Sequence, residues 1–197
     1  MSLAHGIHTV EAMIGRAVLS RATANKLGQT HDLLIDPVRG ELAGLSLRMI
    51  DGSLRLVDYR EIYSFGQDAV MINSDEAALP VQDSPLKALP LAKYNLVGAN
   101  VITGDGKLLG QVANVYLRLA ETVCLIYEVR SSILDKLLGH ALYFPASEGQ
   151  AISGDFTRLV VADDTAGKAQ HSLEALAGQL FVPPREDPVI VVRSRSH

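Results

Sequence analysis

Two stretches of the chain change character at every second residue. Leu45, Leu47 and Met49 alternate with Ser46 and Arg48, while Val123, Leu125, Tyr127 and Val129 alternate with Cys124, Ile126 and Glu128. Successive side chains of an extended strand point to opposite sides, so this spacing predicts strands with one face buried. Asp36-Pro37-Val38-Arg39-Gly40, Asp51-Gly52 and Gly104-Asp105-Gly106 lie between such stretches. Each supplies a residue that tolerates positive φ or a proline that fixes it, and so predicts a hairpin connection. Helical spacing occurs late, where Leu173, Leu176, Ala177 and Leu180 fall on one face of the run Ala166–Leu180 and Pro183-Pro184 stops it. The final stretch "PVIVVRSRS" is strand-like and is expected to pair with a sheet edge, on the other half or on a second chain.

The pattern is written twice. Ile14-Gly15 corresponds to Val97-Gly98, Val18 to Val101 and Leu27-Gly28-Gln29 to Leu109-Gly110-Gln111, at an offset of 82–83 residues. Two copies with so long a period point to tandem units rather than a solenoid. A first unit is expected over residues 10–76 and a second over 94–166. Residues 77–93 are an ordered surface linker whose three prolines forbid a continuous helix or central strand, and 167–197 hold the helix and the strand-like tail. Five or six short strands per copy predict a mainly β fold of two small antiparallel barrels, since closure removes the sheet edges that invite aggregation.

The chain is 48% hydrophobic with a mean hydropathy of +0.17, enough to bury a core and high enough to favour packing of the two halves on each other. The single cysteine, Cys124, excludes an internal disulfide framework and a cysteine-based zinc site, which fits a reducing, cytoplasmic setting of bacterial style. No run approaches the roughly 20 apolar residues of a membrane span. The formal net charge is −4, and both repeats carry more acids than bases, which argues against a nucleic-acid surface.

The run "IGRAVLSRATANKLGQTHDLLIDPVRGELAGLSL", with "LVDYREIYSFGQDAVMI" closing it, resembles the PRC-barrel family, the module shared by the photosynthetic reaction-centre H subunit and the ribosome maturation factor RimM. The second copy, "VGANVITGDGKLLGQVANVYLRLAETVCLIYEV" with "LYFPASEGQAISGDFTRLVV", keeps the glycines and apolar positions but has Arg118-Leu119-Ala120-Glu121 in place of the Asp-Pro turn. The resemblance covers roughly residues 10–166 and rests on Gly15, Gly28, Gly98, Gly110 and core aliphatics. It implies a barrel fold and a protein-docking role, and it supplies no catalytic residue. The membrane helix of the H subunit and the other domain of RimM have no counterpart in this sequence.

Candidate chemistry is sparse. His5 and His8 are spaced for one helical turn but lack a third metal ligand, and His31, His140 and His171 lie outside any catalytic pattern. Gly104-Asp105-Gly106-Lys107 lacks both the earlier glycine and the following Ser or Thr of a phosphate loop, and reads as a hairpin turn. Asp163-Asp164 are neighbours that diverge at a strand end, and no nucleophile elbow ties a Ser, His and Asp together. The expectation is a protein that is not an enzyme, with no cofactor and no metal.

Twelve Arg stand against six Lys. Arg16, Arg21, Arg48, Arg55 and Arg60 are expected to form a guanidinium-rich outer face on the first repeat, or else a solvated face balanced by nearby acids. Arg is enriched at protein interfaces and suits planar, bidentate partners. Tyr59, Tyr63 and Phe65 cluster after the first corner, where some close the end of the barrel and any left exposed is an interface anchor. The leading functional expectation is an interaction module with an unidentified protein partner. RNA or ribosome-assembly binding through a RimM-like barrel, and self-association into a homodimer through the C-terminal strand, are the alternatives. Salt dependence separates them, because phosphate-driven complexes weaken steeply with salt and apolar interfaces do not.

Overall fold

Leu45 and Leu47 are fully buried on β4 (Glu41–Met49), and on β11 (Cys124–Arg130) Tyr127 and Val129 occupy the matching positions, with Leu125 buried on the same face. The computed structural model describes residues 7–119, 124–131, 140–147, 150–162 and 167–179, so Val123, His5, Asp163-Asp164 and the tail "PVIVVRSRS" lie outside the described residues. The remaining strands are β1 (Ile7–Thr9), β2 (Ala17–Ser20), β3 (Lys26–Asp36), β5 (Leu54–Asp58), β6 (Ile62–Phe65), β7 (Ala69–Ile72), β8 (Leu79–Pro80), β9 (Asn100–Thr103), β10 (Leu108–Arg118), β12 (Leu142–Pro145), β13 (Ala151–Ile152) and β14 (Arg158–Val161).

They form two sheets. The first runs β6-β7-β2-β3-β4-β5-β8, and the second runs β13-β14-β9-β10-β11-β12 with β1 added on β10. Apart from β8 in the first and β1 in the second, the order is the same, including one parallel pair in each sheet, β2 with β7 and β9 with β14. The fold is mainly β, but each hydrogen-bonded path has two ends, and no closed barrel is found among the described residues. The end strands are short, and Pro80 on β8 and Pro145 on β12 limit further pairing, so these edges are blunted without closure.

The repeated phrase Leu-Gly-Gln encodes one piece of backbone geometry. Leu27 and Leu109 are the extra residues of β-bulges where β3 meets β2 and β10 meets β9. A Cβ built on Gly28 would lie 2.1 Å from the carbonyl oxygen of Arg48, and one on Gly110 would lie 2.3 Å from that of Arg130. No side chain fits at either place. A second bulge also recurs, at His31 on β3 and at Ala113 on β10. Gly15 and Gly98, with φ of +80° and +95°, end two helical turns and donate equivalent hydrogen bonds to Thr30 and Val112, each 2.8 Å.

Those turns are Val10–Met13 and Ala92–Leu96. The first is an α turn and the second a π turn, one residue longer, which is why the offset between the copies moves from 82 to 83 across it. The chain just before each turn crosses to the other half. Thr9 pairs with Tyr116 on β10, and Leu91 bridges Leu34 on β3, at equivalent positions of the repeat. The segment ahead of each turn is therefore bonded to the sheet of the other half, as a strand in one case and a single bridge in the other. Met13, Leu33, Leu45, Leu96, Leu117, Tyr127 and Phe144 belong to one cluster that spans both halves, and Ile7, Tyr116, Ile126, Leu173 and Leu176 form a second, smaller one on the outer face of the second sheet.

The exchange corrects the expectation that one strand face is left to solvent. Ser46 and Glu128, predicted to face outward, are 2% and 1% exposed. On the first sheet the prolyl linker lies over the outer face, with Leu86 against Gly44 and Pro90 accepting from Ile35 N at 3.1 Å. On the second sheet Ile7 of β1 and the C-terminal helix Leu173–Gln179 cover Tyr116, Ile126 and Tyr143. That helix is shorter than the predicted Ala166–Leu180 run: it begins only at Leu173, and ahead of it Gln170 bridges Tyr143 in extended form.

Candidate functional site

The arginines of the first repeat do not share one face. Arg55 pairs with the core residue Leu47 and Arg48 with Leu54, so the two lie on opposite sides of the sheet. Three are occupied by internal partners. Arg16 donates to the carbonyls of Gly66 (2.6 Å) and Ala12 (3.2 Å), and Arg55 donates to that of Ala78 (3.0 Å). Arg60 grips Asp58 with Nε at 3.0 Å and Nη2 at 2.8 Å. That pairing holds the Asp58 carboxyl below its usual range.

The other two sit beside exposed aromatic rings. The Arg21 guanidinium lies 4.2 Å from the centre of the Tyr63 ring, a cation–π pair in which Tyr63 remains 58% exposed. Arg48 Nη2 donates to His31 Nδ1 at 3.4 Å, and the His31 ring stacks on Tyr94 at 5.0 Å, with Tyr94 57% exposed. Of the other aromatic candidates, Phe65 packs against the core while Tyr59 is only partly open. Tyr94 was not legible as a site residue. The signal lay in comparing the copies, since the longer turn Ala92–Leu96 brings in an aromatic that Val10–Met13 does not have.

A chain of local causes places the Arg48 group. The turn Val10–Met13 is capped by its own N-cap, Thr9 Oγ1 accepting from Ala12 N at 3.1 Å. The equivalent residue before the second turn is Leu91, which has no polar atom to offer. Asp32 on β3 supplies the cap instead, accepting from Lys93 N at 3.1 Å and Tyr94 N at 3.1 Å as well as from Leu33 N at 2.7 Å. Burial pushes the Asp32 carboxyl above its usual range, and these N–H contacts oppose the rise. The Lys93 ammonium reaches Glu11 at 2.5 Å and so joins the two turns. His31, the bulge residue next to Asp32, is thereby aimed at Tyr94 and Arg48. Burial, then the Arg48 charge, lowers its pKa, with Asp32 opposing.

In the second sheet the buried Glu128 is held by Tyr116 OH (2.6 Å) and by Arg130 Nε (2.7 Å). Burial first, then this hydrogen bond, drives the Tyr116 phenol far up. Open clefts are also present. One of about 390 Å³ lies at Val97, Leu108, Gly110 and Arg130, and one of about 400 Å³ at Asp58, Arg60, Glu76 and Leu79. Gly104-Asp105-Gly106-Lys107 is a hairpin turn closed by Thr103 N donating to Lys107 O at 2.9 Å. His8 lies on β1, His140 is exposed, and His171 is exposed just ahead of the C-terminal helix. No group of three His, Cys, Asp or Glu side chains able to hold a metal occurs among the described residues, nor does a helix long and apolar enough to cross a membrane. In comparisons with known proteins, no family model matches the chain, and no curated protein matches it.

Proposed function

We propose that the protein is a non-enzymatic docking module of PRC-barrel type, which binds a protein partner through guanidinium anchors of its first repeat and the aromatic rings Tyr63 and Tyr94 seated beside them. The carrying observation is that Tyr63 and Tyr94 stay more than half exposed while each is seated on a neighbouring side chain, Arg21 and His31 respectively. A tyrosine held in place loses little entropy on binding, and Tyr with Arg dominates the energetics of protein interfaces. Binding buries both rings, and the two guanidinia pair with carboxylates at the rim. The shared order of six strands in the two sheets and the side-chain-free glycines of the Leu-Gly-Gln phrase support the family reading.

The test is affinity capture with the full chain and with a Tyr63→Ala, Tyr94→Ala double variant, after nuclease treatment and at low and high salt. Proteins held by the parent chain through nuclease and high salt, and reduced at least about tenfold by the double variant, match the proposal. Equal capture by both chains overturns it, and loss of all capture on nuclease treatment transfers the function to RNA binding.

A further inference from the structure

The two halves treat one outer-face position differently. In the second sheet Arg130 is saturated by a carboxylate two residues earlier on its own strand, with Nε 2.7 Å and Nη2 2.5 Å from Glu128 Oε1. The register places Arg48 where Arg130 stands, opposite Gln29 as Arg130 is opposite Gln111. It also places Ser46 where Glu128 stands, opposite Asp32 as Glu128 is opposite Asn114. Each sheet thus keeps one buried carboxylate on this cross-strand pair, but on opposite members.

That transfer changes the situation of the arginine. Ser46 is too short to reach Arg48, and Asp32 is turned to the N–H groups of Leu33, Lys93 and Tyr94. Among the described residues no carboxylate lies within ion-pair distance of Arg48, whose contact is the 3.4 Å approach to His31. A guanidinium can only donate, so this contact goes with a neutral His31 ring that carries its proton on Nε2.

We propose that Arg48, His31 and Tyr94 receive a single Asp or Glu side chain from a docked protein segment, the intermolecular counterpart of Glu128 beneath Arg130. The guanidinium fork takes the two oxygens, the imidazole N–H steadies one of them, and the exposed Tyr94 ring packs on the methylenes of the incoming side chain. The net charge of −4 resists polyanions such as nucleic acid, so the site suits one local carboxylate rather than a phosphate backbone.

The inference rests on the docking reading of this surface, but its test needs no knowledge of the partner. The full chain is titrated with the capped tripeptides acetyl-Ala-Glu-Ala-amide and acetyl-Ala-Gln-Ala-amide, and with inorganic phosphate at matched ionic strength. The readout is the NMR signals of the Arg48 and His31 side chains. A saturable shift with the Glu peptide, at a dissociation constant of about a millimolar, is expected. The Gln peptide gives none, and Arg48→Gln, a change at an exposed position, weakens the Glu peptide at least about tenfold. No saturable shift, equal shifts from both peptides, equal affinity for phosphate, or indifference to Arg48→Gln overturns the assignment. If those results coincide with capture that still depends on Tyr63 and Tyr94, the docking reading stands and only the carboxylate site falls.

Discussion

Gly28 and Gly110 occupy places where even a methyl group would overlap the carbonyl of Arg48 or Arg130. Neither site can relax cheaply, because the obstructing atoms are backbone of the neighbouring central strand. Gly28→Val and Gly110→Val are each expected to cost at least about 3 kcal/mol, read by urea denaturation; an unchanged midpoint would refute the account of the Leu-Gly-Gln phrase. Tyr127 makes the opposite case. Its hydroxyl is buried in the core without a hydrogen-bond partner among the described residues, so Tyr127→Phe is expected to leave stability unchanged or raise it by up to about 1 kcal/mol. His31 gives the pH dependence. Its lowered pKa means that the unfolded chain takes up a proton more readily than the folded one, so the contribution of His31 to stability is present above about pH 6.5 and is lost as pH falls below it. Arg48→Gln removes one cause of the lowering, and an NMR titration of the His31 ring should then show its pKa moving up.

At the scale of elements, the sequence revealed much of the strand content and little of what covers it. Leu45, Leu47, Leu125 and Tyr127 announced their strands because a period of two is a property of the strand alone. Ser46, Ile126 and Glu128 misled because their burial depends on segments far away in sequence: Leu86 and Leu91 over one sheet, Ile7 and Leu173 over the other. The Arg face failed for a related reason, since the register that sets Arg55 against Leu47 cannot be read from composition. Asp32 shows how such a long-range dependence is built. Its chain neighbours give no sign that it caps a turn some sixty residues later, a role forced by the loss of a polar residue at Leu91. Asp32→Ala is expected to cost about 2 kcal/mol, with hydrogen exchange at the amides of Lys93 and Tyr94 rising sharply. Protection left intact at those two amides would contradict the capping role.

Among the described residues the main apolar cluster spans both halves, and backbone pairing crosses between them in both directions, through β1 on β10 and through the Leu34–Leu91 bridge. Calorimetry is therefore expected to show a single cooperative transition, with equal calorimetric and van't Hoff enthalpies. Two resolved transitions would mean that the halves unfold separately. Removing the chain through Thr9 takes away β1 and uncovers Tyr116 and Ile126, so this truncation should destabilise the second sheet although it deletes nothing from the second repeat.

The reciprocal crossing also bears on why one chain carries both copies. Two separate half-chains that traded segments in this way would form a symmetric pair, in which every substitution appears on both sides. A serine opposite one aspartate could not then coexist with a glutamate opposite one asparagine. Joined in a single chain, one copy is free to keep its carboxylate inside while the other gives its own up to a structural task, and only one side of the molecule is left with an arginine to offer. Fusion converts a symmetric assembly into one with a front and a back.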